Sequence, residues 1–247
     1  MANSIEFFRA GDPTVTGVYP LDVDTGLDAR GICWGGHHDG GLLFWILLNL
    51  GSTGAAVLKL YRIDVAKKVA VQLGSFRVAA ATDIFYGLTT DGTNLYILKT
   101  RLNGIQNDPY IDVHRCSNPI PSIVQVAAGP KEATPTDITF DGARLWWSYT
   151  LGGGGLEAPP ILVCKLVARL STGDETTITN DFPSVVGLEH TGDNTLRTND
   201  GTDAANIGLF LKKDGQQINV RPLIGSALLA HYALCRFGRD DYAIVGA

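Results

Sequence analysis

The sequence predicts an all-β chain built from five similar units of four short strands, on three observations. The first is a recurring hairpin: GICWGGHHDGGLLFWIL, GLTTDGTNLYIL, DITFDGARLWWSY, GLEHTGDNTLRT and ALCRFGRDDYAIV each pair an apolar strand with a second apolar or aromatic run across a glycine turn that has Asp beside or near it. Gly and Asp suit that turn because both tolerate the positive φ a tight hairpin requires. The second is spacing. The turn glycines Gly40, Gly92, Gly142, Gly192 and Gly238 return about every 50 residues. The third is period: alternation of two punctuated by Gly, Pro and Asp runs throughout, and no segment sustains a 3.6-residue apolar stripe over a helix length.

Taken in order, the chain opens with SIEFFRAGDPTVTGVYPLDVD, a pair of strands carrying Arg9. The first glycine hairpin follows, then VLKLYRIDVAKKVAVQLGS, an outer pair that carries Arg62 at the end of its first strand. The second, third and fourth hairpins are followed in the same way by YIDVHRCSNPIPSIVQVAAGP with Arg115, ILVCKLVARLSTGDETTITNDFP with Arg169, and IGLFLKKDGQQINVRPLIGS with Lys213. The fourth hairpin departs most from the pattern, with Gly192-Asp193 reversed and a polar second strand. After Gly238 only DYAIVGA remains, so the fifth hairpin lacks an outer pair, which the first residues supply. Four strands in about 50 residues is the size of a propeller blade. The expected fold is therefore a five-bladed β-propeller, one domain over residues 1–247, closed by strands from both ends. Such a ring leaves no long unpaired edge; a β-sandwich would explain neither the period nor the complementary ends.

Composition narrows the function. Hydrophobic residues make up 45% of the chain, enough for a buried core, which excludes intrinsic disorder. A net charge of −5 without a basic tract argues against a nucleic-acid partner, since phosphate binding needs clustered Lys and Arg. Four cysteines are too few for a disulfide scaffold, and all are expected to be free thiols. The most apolar run, Leu42 to Leu50, is about half the ~20 residues a membrane helix needs, and the first residues lack a signal peptide's basic start and apolar stretch. A virion or cytoplasmic location is expected, without a membrane partner.

LYRIDVAKKVAVQLGS, TTDGTNLYIL and TFDGARLWW resemble the strand, DG-turn, leucine–aromatic units of phage-encoded and bacterial propellers, over nearly the full length. Propellers of this kind serve as lectins, hydrolases, docking platforms and virion components, so the resemblance implies a fold and leaves the role open.

Motifs for chemistry are sparse. Gly152, Gly153, Gly154 and Gly155 lack the Lys-Ser/Thr of a phosphate loop, and read as a connection between strands. His37 and His38 are adjacent and point to alternate sides, which disfavours joint metal ligation; with no paired Cys or His motif, neither metal nor cofactor is expected. Sugar hydrolysis would need two carboxylates at a set separation, and the candidates are Asp83, Asp137 and Glu189 near the starts of inner strands. Asp91 and Asp141 are explained by their turns. Trp34, Trp45, Trp146 and Trp147 lie in or beside the inner hairpins and could stack on a glycan, but Leu95-Tyr96, Leu145-Trp146 and Phe44-Trp45 occupy the repeat position that packs one unit on the next. The leading expectation is a non-enzymatic structural or docking module, most specifically a phage or virus particle component, whose partners are other structural proteins of an assembly. Its contact is expected on two long connections, through Asn103, Asn107 and Asp108 and through Gly152–Gly155. A lectin or glycoside hydrolase acting at the channel mouth is the alternative.

Overall fold

The computed structural model describes residues 3–22, 27–49, 56–78, 83–103, 106–127, 134–150, 160–166, 175–179, 185–191, 194–200, 206–211, 216–228 and 231–246. Its strands are β1 (Ser4–Arg9), β2 (Gly17–Pro20), β3 (Asp28–His38), β4 (Gly41–Asn49), β5 (Ala56–Asp64), β6 (Val69–Arg77), β7 (Asp83–Thr90), β8 (Asn94–Asn103), β9 (Gln106–Arg115), β10 (Asn118–Ala127), β11 (Thr134–Phe140), β12 (Arg144–Thr150), β13 (Pro160–Leu166), β14 (Glu175–Thr179), β15 (Val185–His190), β16 (Thr195–Asp200), β17 (Asn206–Leu211), β18 (Gln217–Pro222), β19 (His231–Arg236) and β20 (Asp241–Gly246). They form five four-stranded antiparallel sheets. Four are consecutive meanders, β3 to β6, β7 to β10, β11 to β14 and β15 to β18; the fifth has the order β19-β20-β1-β2.

That fifth sheet joins the two ends of the sequence. Ile5 pairs with Val245, Phe7 with Ala243 and Phe8 with Tyr242, as the complementary half-units predicted. The first strands of the sheets also touch in cyclic order: β3 packs on β7, β7 on β11, β11 on β15, β15 on β19, and β19 on β3.

The core lies between sheets. Ile5, Phe7, Phe44, Ile46 and Tyr61 pack with Cys235 and Val245 between the joined sheet and the first meander. Trp45, Leu47 and Leu58 pack with Phe85, Leu88 and Leu95 one interface further on. Tyr96 and Leu98 pack with Ile138, Leu145 and Trp147 at the next. This explains the apolar run at Leu42: β4 is covered on both faces, with Phe44 and Ile46 turned to one neighbour and Trp45 and Leu47 to the other. Among the described residues no helix is long and apolar enough to cross a membrane.

The turns follow their residues. Gly40, Gly92 and Gly142 have φ of 75°, 88° and 92°, the left-handed region where a side chain is strained. Asp91 Oδ1 accepts from the N–H groups of Thr93 and Asn94, while Oδ2 accepts from the Tyr96 hydroxyl at 2.7 Å. Asp141 repeats the arrangement with Ala143, Arg144 and the Trp146 indole. Gly238 departs from this rule. It is not in the left-handed region, and it is small because a Cβ there would meet Asp241 Oδ2 at 2.8 Å. Gly192 lies outside the described residues; its turn is closed by Thr191 N–H donating to the Thr195 carbonyl.

One expectation changes. Asn103, Asn107 and Asp108 are not on a long loop: Asn103 pairs with Gln106, Leu102 with Asn107 and Arg101 with Asp108, so the ladder runs on into a tight hairpin. Polar residues with Pro109 read as a loop because outer strands need no strict apolar alternation. The first strands converge: β3 and β19 approach within 8 Å at their Cα atoms. Cys33, Cys116 and Cys235 are nonetheless free thiols, Cys33 and Cys235 being directed into different interfaces. The Cys164 side chain and Gly152–Gly155 lie outside the described residues.

Candidate functional site

A shared irregularity positions residues of the five first strands. Each first strand breaks register with its partner at one equivalent place: Ala29/Gly31, Phe85/Gly87, Pro135/Asp137, Val185/Gly187 and His231/Ala233. Each break is a β-bulge, which re-aims the residues beside it. Immediately after the bulge four units carry Gly31, Gly87, Gly187 and Ala233, and the third carries Asp137. At Gly31 and Gly87 a side chain has no room. A Cβ on Gly31 would meet the backbone nitrogen of Leu88 at 2.8 Å, and one on Gly87 would meet Asp137 Cα at 2.9 Å.

Asp137 uses the space its neighbours leave. Oδ1 accepts from its own chain at Ile138 N–H, 2.8 Å, and Oδ2 accepts across the interface from Leu188 N–H, 2.8 Å. Leu234 N–H is a further donor to the carboxyl, so the side chain reaches both β15 and β19. Asp137 is 1% exposed. Burial pushes its carboxyl well above the ordinary range, against these hydrogen bonds, and the nearby Glu189 pushes the same way.

Two residues further along each strand come Cys33, Thr89, Thr139, Glu189 and Cys235. Glu189 is half-buried. Burial raises its carboxyl to about 8, opposed by the Thr139 hydroxyl, the His190 N–H and the Arg236 guanidinium. Thr139 Oγ1 in turn accepts from His190 N–H at 3.1 Å. Cys33 and Cys235 are buried, and burial with the nearby acids lifts both thiols. Among the described residues no group of three or more His, Cys, Asp and Glu is arranged to hold a metal ion.

Asp83 does not join this cluster. Its Oδ2 accepts from Lys99 Nζ at 2.7 Å, and the same ammonium reaches Asp112 Oδ2 at 2.6 Å, so one buried lysine bridges two carboxylates. Asp83 lies four residues before the bulge-level Gly87 and Glu189 two residues after Gly187. At about 3.3 Å per residue the two acids stand roughly 20 Å apart along the strands, far beyond the span of a glycosidase pair. Three acids at the "start" of inner strands are therefore one ion-pair member, one carboxyl bonded to neighbouring strands and one half-buried carboxyl. Their different positions relative to the shared bulge separate them.

The other sequence candidates are accounted for locally. His37 and His38 are exposed at the end of β3, with His38 Nδ1 3.1 Å from Asp39 Oδ2 and His37 edge-on to Trp34. Trp45, Trp146 and Trp147 are buried between sheets; Trp34 is half-buried. Sequence reading missed the bulged residues themselves. Arg30 lies over the Tyr232 ring, 4.5 Å from its centre, so two bulges on neighbouring strands meet by cation–π contact.

No family description and no curated protein matches the sequence. Solved structures match in shape. A GH43_1 enzyme from Xanthomonas citri aligns with a TM-score of 0.56 at 11% identity, over 90% of this chain and 82% of that one. A hypothetical protein from Leishmania major gives 0.53 at 10% identity, over 92% and 87%. The major Malassezia sympodialis allergen Mala s 1 gives 0.52 at 13%, over 93% and 83%. At these identities the likeness is one of fold.

Proposed function

We propose that the five sheets are blades of a β-propeller closed by strands from both ends of the sequence, and that the protein is a non-enzymatic structural or docking module. The cyclic contacts of the first strands and the β1–β20 pairing support the ring. One observation carries the functional half: Asp137, the acid nearest the axis, is spent on backbone N–H groups of neighbouring strands and is 1% exposed. A carboxylate so bonded ties blades together. It cannot also approach a substrate without leaving those N–H groups unpaired, at about 1–3 kcal/mol each.

The setting we favour is a phage or virus particle, on the resemblance of the repeats, with other structural proteins of the assembly as partners. With residues 103–108 in a tight hairpin, the contact falls to the connection containing Gly152–Gly155. Shortening that connection to a tight turn should reduce co-sedimentation with purified particles on a density gradient while the isolated protein stays folded. A protein absent from particles, or incorporated equally well with the short connection, contradicts this reading.

Carbohydrate hydrolysis at the channel mouth is the second reading, favoured by Glu189: a carboxyl raised to about 8 is protonated at neutral pH, as a general acid must be. A reducing-sugar assay on a glycan panel separates the two. Activity abolished by Glu189→Gln, in a variant that melts like the parent, would establish the hydrolase and remove the structural proposal.

A further inference from the structure

Sheet β15–β18 and the connection from β1 to β2 enclose a cavity of about 180 Å³ that no reading above uses. Its wall is a cross-strand row: Arg197 on β16 stands opposite Leu209 on β17, which stands opposite Asn219 on β18. Arg221, two residues along β18, adds a second guanidinium. The connection supplies Ala10, Gly11 and Pro13 as the facing wall.

Three features mark it as a built site. Arg197 is held in place, its guanidinium over the Tyr242 ring at 4.7 Å, yet its Nε–H is buried and has no acceptor. A buried unpaired donor on a charged group is costly, and an incoming oxygen removes that cost. Arg221 is oriented by donating from Nη1 to the Gly11 carbonyl at 3.2 Å. The facing wall is itself tied down. Thr14 bridges Ile224, with Val15 N–H donating to the Ile224 carbonyl at 2.8 Å and Ile224 N–H to the Pro13 carbonyl at 2.9 Å. The nearest acid on that connection, Asp12, does not line the cavity and is engaged by Thr14 at 2.6 Å. In a chain of net charge −5, two guanidiniums and an amide face one cavity, and no carboxylate is among the described residues that line it.

We propose that this cavity binds an oxyanion, a carboxylate or phosphate group on a small molecule. Arg197 would take it through the edge that carries the unpaired Nε–H, Arg221 and Asn219 would complete the polar side, and Leu209, Ala10 and Pro13 would contact the attached body. Guanidinium edges match carboxylate and phosphate geometry, and such charge-assisted bonds are roughly twice as strong as neutral ones. The cavity spans the joined sheet and its neighbour, so occupancy also clamps the β1–β2 connection.

Calorimetric titration of the full chain at constant ionic strength tests this, with inorganic phosphate, glucuronate and glucose as probes. Saturable one-to-one binding of phosphate or of glucuronate, with none of glucose, is the expected result; which anion binds more tightly tells a phosphate ligand from an acidic sugar. Arg221→Gln, on an exposed side chain, should weaken binding about tenfold, the loss of one charge-assisted contact, and Arg197→Gln by at least as much. Lys68→Gln, on the β5–β6 turn, should bind like the parent. Absence of saturable binding by either anion overturns the proposal, as does binding that Arg221→Gln leaves unchanged. Neither outcome bears on incorporation into particles.

Discussion

Asp137 and Glu189 are neighbouring acids on first strands, and folding shifts both from an ordinary surface carboxylate in the same direction. Burial lifts Glu189 from 4.5 to about 8 and lifts Asp137 as well. Between pH 4.5 and 8 the folded chain holds a proton at Glu189 that the unfolded chain has released. Its stabilising contribution is therefore full below about 4.5 and is lost as pH rises towards 8. Urea midpoints should fall from pH 5 to pH 8.5, and Glu189→Gln should fall less steeply, the remainder coming from Asp137; equal slopes in the two proteins would contradict the assignment. Lys99 is the other residue on which much rests. Replacing it by Met leaves Asp83 and Asp112 buried without their cation, and Asp112 Oδ1 already lacks a partner. A loss of about 3–5 kcal/mol is expected from denaturant melts.

The hairpins at Asp91-Gly92 and Asp141-Gly142 are held by the aspartate's two oxygens and by a glycine whose backbone is left-handed. At Gly142 a Cβ would meet nothing within 4 Å, so the position tests conformation alone. Gly142→Ala should destabilise by about 1–2 kcal/mol through the left-handed backbone. At Gly87 the same substitution meets Asp137 and the β11 backbone, and should cost considerably more. Two glycines in one kind of repeat thus answer to different constraints, a turn and a close approach of strands.

Closure belongs to the whole molecule. β1 covers an edge of β20 from Ser4 to Arg9, and its Phe8 stacks on Tyr242. Removing the residues before Leu21 bares that edge and strips Ile5, Phe7 and Tyr19 from the core. The truncated chain should aggregate or lose a cooperative unfolding transition, checked by light scattering and circular dichroism. A truncated protein as soluble and as cooperative as the full chain would argue that the joined sheet is dispensable.

Strand count, the repeat and the joining of the two ends were readable in the sequence because alternation, Asp-Gly turns and complementary half-units are local signals that five units repeat. That Asp91 and Asp141 serve their turns was readable for the same reason; the bonds of their second oxygens to Tyr96 and Trp146 were not. The fate of Asp83, Asp137 and Glu189 was not. Their different distances from the turn glycines stand in the sequence, but the partners each acid meets, Lys99 for Asp83 and the Leu188 N–H for Asp137, come from other strands. Gly87 leaves room beside Asp137, 50 positions away in the sequence, a relation that only the packed strands disclose. The Arg197–Arg221 cavity arises likewise. Its halves come from opposite ends of the sequence, and no segment contains both until β1 has been added to β20.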